Sequence, residues 1–372
     1  MNSFLNEIAG NQKVKLVLAN ILRSKNIPHA FLFSGNEGLG KDNAAISFAK
    51  ELTLINSNDE LRNSKLVQFI NHLSEPYIKY IFPLPRGKNE TDQNGPLERL
   101  SQDEMDIVNS EFQVKSNNPY YKIRIPKANQ IKVSSIRDIK KFLTLNYDDI
   151  NYRIILISQA HLMNEESQNA LLKNLEEPPN GVVFILTTSA PEKLRETIKS
   201  RCWNIAFQPI PEQELKKILV ERFNIEEELA DEVIPFSEGS VQTALSLIES
   251  NLFELLEKVI KILRYSFGKR YNSALAEFEE IVSESDLLKF NLIIRLILTW
   301  FNDLQRYRYN SNSKLYFKGY LDTFQKFHEK FPEANIQSVI SKLDNISNYT
   351  RNNINLNVAV SNVIAQISLI TS

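Results

Sequence analysis

Three short apolar runs punctuate the first half of the chain: HAFLFS at residues 29–34, RIILIS at 153–158 and GVVFILTT at 181–188. Each has the length and β-branched or aromatic content of a strand buried on both faces. Between and after them the pattern changes to helical spacing. Residues 43–54 alternate apolar and polar positions in that way, as do residues 164–177, and from residue 130 Ile131, Ile136, Ile139 and Leu143 suit one face of a further helix. Strands alternating with helices predict a parallel sheet covered by helices.

Two stretches depart from this alternation. Residues 56–129 are polar and irregular, with prolines at 76, 83, 85, 96 and 119, and read as an insertion. Within it EPYIKYIFPLP and YYKIRIP are apolar enough to form strands or pack on the domain, whereas KNETDQNGPLER reads as loop. After Trp203 the pattern turns helical, with Pro209 and Pro211 marking a linker. Residues 212–249 predict two or three helices with a turn at Glu238-Gly239. Beyond them LLKFNLIIRLILTWFNDLQRY and NLNVAVSNVIAQISLI are apolar enough to be buried in a bundle or against other chains. The predicted organisation is a core over 1–208, a small helical lid over 209–250 and an all-α domain over 251–372.

Composition narrows the chemistry. At 372 residues with 42% hydrophobic content, two or three domains are expected. A net charge of −1 supplies no global field to hold nucleic acid, so any DNA contact must be local or shared. A single cysteine, Cys202, excludes a disulfide framework and any zinc site built from several cysteines. The start MNSFLNEIAG lacks the features of an export signal and no stretch has the apolar length of a membrane span, so a cytoplasmic location without membrane contact is expected.

The strongest chemical signal is GNEGLGKD at residues 35–42, between a predicted strand and a predicted helix. Gly35, Gly38, Gly40 and Lys41 have the spacing of a phosphate-binding loop, in which main-chain N–H groups wrap phosphates and the lysine reaches the terminal ones. The hydroxyl that would hold magnesium is replaced by Asp42. Two outcomes are open. The carboxylate can repel a triphosphate, at roughly 4 kcal/mol for two charges about 4 Å apart at an effective dielectric near 20, or it can cap its own helix N-terminus. Ser158 and Gln159 stand at the end of the second apolar run, where such proteins carry acids for magnesium and water. Nearby His161 reads as structural, and Glu165 and Glu166 behind Asn164 read as helix-start residues.

The run NALLKNLEEPP at 169–179, the strand after it, and LRETIKSRC at 194–202, together with the degenerate loop, resemble the clamp-loader branch of the AAA+ family. The resemblance covers roughly the first two-thirds of the chain. It implies an α/β P-loop core with a parallel sheet and flanking helices, a helical lid and an all-α C-terminal collar. In that branch a Ser-Arg-Cys tripeptide gives an arginine finger to a neighbouring subunit; here it is Ser200, Arg201 and Cys202. The bland reading leaves Arg201 paired with an acidic surface group. EGSVQTALSL resembles the family's lid helix, with Gln242 where a nucleotide-sensing arginine is usual. The resemblance therefore implies a non-hydrolysing stator, acting with motor and wrench subunits and reaching sliding clamp and primed DNA through the complex. A working motor, a purely structural subunit and a free-standing DNA-binding ATPase are the rivals. No metal site is expected: the zinc module of many relatives needs four cysteines. Residual ATP or ADP binding stays open.

Overall fold

A computed structural model describes residues 4–55, 60–75, 77–91, 93–144, 151–282, 286–309, 315–349 and 355–370. The chain divides into two compact units, Met1–Ile225 with Glu238–Gln242, and Glu226–Ser237 with Thr243–Ser372.

The first unit is built on a five-stranded, wholly parallel sheet: β1 (Ala30–Ser34), β2 (Ile78–Ile81), β3 (Arg153–Ile157), β4 (Val182–Thr188) and β5 (Trp203–Ala206), in the order β2-β3-β4-β1-β5. Its helices are α1 (Gln12–Ser24), α2 (Lys41–Leu54), α3 (Glu60–Asn71), α4 (Gln102–Asn117), α5 (Val133–Arg137), α6 (Ile139–Thr144), α7 (Glu165–Glu176), α8 (Glu196–Lys199) and α9 (Glu212–Phe223). Alternate strand residues feed two cores. Phe31, Phe33, Ile154, Leu156, Val183 and Ile185 pack against α1 and α2; Leu32, Ile155, Ile157, Phe184 and Leu186 pack against α5 to α8. Both cover the sheet, as a parallel sheet requires.

The three expected strands are β1, β3 and β4, and α2 and α7 fall where the periodicity puts them. The apolar face read from residue 131 onward is there, but its helix is broken. Ile131 forms an isolated bridge with Met163, and α5 and α6 divide the rest, with Ile136 and Ile139 buried. The stretch 56–129 is more ordered than its polarity suggests. It supplies α3, the sheet strand β2 and α4, the last opened by a reciprocal cap between Ser101 and Glu104. YYKIRIP forms no strand, yet Ile123 and Ile125 are buried. In the loop read from KNETDQNGPLER, Glu90 forms a buried ion pair with Lys132 at 2.7 Å.

The second unit is helical: α10 (Glu227–Ser237), α11 (Val241–Glu249, whose first two residues belong to the first unit), α12 (Leu252–Phe267), α13 (Tyr271–Glu279), α14 (Leu287–Tyr309), α15 (Leu321–Lys330), α16 (Ile336–Tyr349) and α17 (Leu356–Leu369). Trp300 of α14 is fully buried among Phe267, Phe301, Phe324 and Phe327. No helix among the described residues is long and apolar enough to cross a membrane.

Candidate functional site: a rebuilt P-loop

The glycine-rich loop joins β1 to α2 at the C-terminal edge of the sheet, with Gly35, Gly38 and Gly40 all at positive φ. All three glycines are required by close approach as well as by backbone conformation, a Cβ on Gly35 lying 2.6 Å from the Phe207 carbonyl oxygen. A Cβ on Gly38 would lie 2.0 Å from Ser240 Oγ and 2.9 Å from Gln242 Cβ; one on Gly40 would lie 3.0 Å from the Tyr120 ring. The Val241 N–H donates to the Gly38 carbonyl at 3.1 Å. The loop is therefore packed against the chain's own atoms, Gln242 included.

Lys41 is folded back into its own loop, its Nζ donating to the carbonyls of Gly35 at 2.6 Å and Asn36 at 2.5 Å. Burial, opposed by the nearby Asp42 and Glu37 charges, pulls its pKa down to about 8.

Asp42 neither caps α2 nor points at open solvent. Its Oδ2 receives hydrogen bonds from Ser158 Oγ at 2.9 Å and Tyr80 Oη at 3.1 Å, and an ion pair from Lys115 Nζ at 2.7 Å; its Oδ1 receives Thr187 Oγ1 at 2.7 Å. The self-capped alternative is not what forms: side chains from β2, β4, the residue after β3 and α4 take the carboxylate. Burial alone would raise the Asp42 carboxyl, but the Lys115 charge and the hydrogen bonds of Lys115, Thr187 and Ser158 hold it below its ordinary value.

Lys115 was invisible to sequence reasoning. Its side chain is 2% exposed, and its ammonium has three acceptors, Asp42 Oδ2, Pro119 O at 2.9 Å and Tyr121 O at 2.7 Å. Three acceptors match its three protons, which is what makes burial of the charge tolerable. The turn that follows α4 also places Tyr120 over Gly40 and pairs Lys122 with Glu37 at 2.6 Å. The signal that could have found Lys115 is indirect: a carboxylate carried into a strand-lined interior needs a cation beside it.

The space left is a cavity of about 60 Å³, bordered by Lys41, Asp42, Lys115, Tyr120, His161 and Gln242, with Ser158 and Gln159 at the end of β3. That is room for a few water molecules. His161 has its Nδ1 3.1 Å from Thr188 Oγ1, and burial pulls its pKa down to about 4, so it is neutral at physiological pH. Asn164 caps α7 through the Ser167 N–H at 2.9 Å, with Glu165 and Glu166 in its first turn. The residues present do not fit magnesium and a triphosphate in this arrangement. The carboxylate at the hydroxyl position already holds an ammonium and three hydroxyls, and the lysine that should reach phosphate is tied to the loop. Among the described residues no three His, Cys, Asp or Glu side chains cluster as metal ligands.

Arg201 lies at the other edge of the sheet. It follows α8 and precedes β5, whose Trp203 pairs with Phe31 and whose Ala206 pairs with Ser34. At about 3.3 Å per strand residue, that separates it from Gly35 by roughly 20 Å. Its Nη2 pairs with Glu176 of α7 at 2.9 Å, its Nη1 donates to the Thr197 carbonyl at 2.9 Å, and its side chain is 35% exposed. Cys202 beside it is buried, which pushes its thiol up to about 12. The structure thus gathers Gly35, Gly38, Gly40, Lys41, Asp42, Ser158, Gln159 and Gln242 in one place, and holds Arg201 apart.

A parallel sheet with a glycine-and-lysine loop between β1 and α2 defines a P-loop α/β protein, one in which Asp42 at the hydroxyl position is held by Ser158 and Lys115. The family model described as DNA polymerase III, delta subunit, matches residues 10–211. The chain belongs to that family. It is 29% identical to the DNA polymerase III subunit tau of Bacillus subtilis over 65% of this chain and 37% of that one. It is 28% identical to the Escherichia coli subunit tau over 65% and 32%. It therefore spans about a third of the length of these relatives. Among solved structures, it is similar to a DNA polymerase III gamma subunit-related protein from Thermotoga maritima, at 17% identity and TM-score 0.45, covering 95% of this chain and 99% of that one. It is also similar to the Thermotoga maritima RuvB Holliday junction branch migration motor, at 16% identity and TM-score 0.41, over 82% and 81%.

Proposed function

We propose that the chain is a delta-prime-like subunit of the DNA polymerase III clamp loader, a stator that does not hydrolyse ATP itself. It presents Arg201 to ATP held by a neighbouring motor subunit while a sliding clamp is loaded on primed DNA. The observation that carries this reading is the separation of the two sites. Arg201 sits partly exposed at the N-terminal edge of the sheet, out of reach of its own P-loop, and that P-loop has lost the hydroxyl, the acids and the sensor arginine at Asp42, Ser158, Gln159 and Gln242. An arginine in that place suits work on another chain's phosphate, because its planar guanidinium binds two oxygens and is always charged. The core over 1–208, lid over 209–250 and helical collar over 251–372 serve in this reading as the body, hinge and assembly surface.

The test is DNA- and clamp-stimulated ATP hydrolysis by the reconstituted loader with wild-type chain and with Arg201→Ala, after both are shown to assemble. We expect a loss of about 10³-fold or more, the range of such fingers. Equal rates would sink the finger. A second reading, a purely structural subunit, draws on the Arg201–Glu176 pair and would be supported by that equality. The motor reading draws on relatives that carry the names tau and gamma. Steady ATP turnover by the isolated chain would favour it, and the ammonium and hydroxyls already on Asp42 count against it.

A further inference from the structure

We propose that Lys115 is the resident cation of this P-loop: a tethered ammonium stands where magnesium would, and it closes the cradle to magnesium nucleotides. In a working loop the hydroxyl after the lysine and an acid at the end of the neighbouring strand converge on one magnesium ion. Here the two positions hold Asp42 and Ser158, and they still converge, since Ser158 Oγ donates to Asp42 Oδ2 at 2.9 Å. The positive charge that meets them is Lys115 Nζ, 2.7 Å from the same oxygen and held by two further oxygens, those of Pro119 and Tyr121. Magnesium needs about six oxygens near 2.1 Å. It could enter only by expelling an ammonium that is attached to the chain and already fully bonded.

The replacement of hydroxyl by carboxylate and the arrival of lysine are thus two halves of one change. Asp42 without Lys115 would be an unpaired charge inside the domain, and Lys115 without Asp42 would be another. Thr187 Oγ1 donates to Asp42 Oδ1, so each oxygen of the carboxylate is already engaged by the chain's own groups. The stretch that carries Lys115 is otherwise without an assigned role; on this account its helix α4 and following turn are a built-in plug. The proposal does not depend on Arg201, and its test does not use a loader.

The experiment is calorimetric titration of the full chain with ADP and ATP, each with magnesium and with chelator. Wild-type chain is expected to bind neither more tightly than about 1 mM. Restoring a hydroxyl and removing the ammonium together, Asp42→Thr with Lys115→Met, should give binding at least tenfold tighter that disappears with chelator. Micromolar binding of magnesium-ADP by wild type would overturn the proposal, and so would a folded double variant that binds no better than wild type. Should the double variant fail to fold, acylation of wild-type lysines read by mass spectrometry decides. Lys115 should stay unlabelled with and without magnesium-ADP while exposed Lys13 is labelled; labelling of Lys115 on adding nucleotide would refute its residence.

Discussion

Asp42 in the first unit and Asp303 in the second are both carboxylates drawn inside the protein, and they are held by opposite means. Asp42 has an ammonium in contact and three hydroxyl donors. Asp303, fully buried on α14, accepts the main-chain N–H groups of Tyr316 at 2.6 Å and Phe317 at 2.9 Å, and its cation, Arg306, is half-exposed and 3.4 Å away. Burial raises the Asp303 carboxyl, and the two amides and Arg306 offset that only in part, whereas Asp42 ends below its ordinary value. Peptide dipoles are enough to fasten the 315–317 segment to a helix. Keeping the Asp42 carboxylate ionised in the glycine-rich loop's pocket takes a full charge.

The sharpest way to break this contrast is to remove the charge. Lys115→Met should cost the first unit about 3–5 kcal/mol, read from its urea transition, because the carboxylate stays behind unpaired. Adding Asp42→Asn should return most of that loss. A single variant that costs under about 1 kcal/mol would mean the pair is no more than a surface ion pair. Asp303→Asn should cost less, about 1–2 kcal/mol in the second unit's transition, since both N–H groups meet the same oxygen, Oδ2, and an amide oxygen there still accepts them, leaving only the half-exposed Arg306 without its carboxylate partner. A cost equal to that of Lys115→Met would erase the distinction between the two sites.

The most gradual expected effect is in pH. His161 has a folded pKa of about 4 against an ordinary 6.5, so on acidification the unfolded chain takes up the proton first. Its contribution is complete above about pH 6.5 and should fall away between there and pH 4, by about 1–3 kcal/mol. Thermal melts across that range should show the slope, and His161→Gln should flatten it. Asp42 acts only lower down, its stabilisation present above its unfolded value near 3.8 and lost as pH falls further. Asp303 runs the other way, gaining stability as pH falls through its raised folded pKa.

The central strands were legible because burial on both faces forces unbroken apolar runs, as in RIILIS. β5 was not, because it is an edge strand with Trp203, Asn204 and Ala206 exposed, and so has no such run. The helix expected after residue 130 was right in its apolar face and wrong in its continuity, since the pattern does not record the break between Arg137 and Ile139. The loop itself was plain from its glycine spacing, and Asp42 from its place in it. Lys115 was not, because a lysine in a polar stretch resembles every solvated lysine; only the carboxylate's need for a counter-charge points to it. Local pattern gives the frame, and long-range charge balance gives the site.

The position of β2 bears on how this protein can be trimmed. Because Ile78–Ile81 is a sheet strand paired with Ile154–Ile157, the polar stretch around it is no detachable ornament. Excising 56–129 would bare a hydrogen-bonding edge of four isoleucine- and leucine-rich positions, an invitation to aggregate. The same cut would strand Asp42 without its lysine, so a minimal core must keep α4 as well as β2.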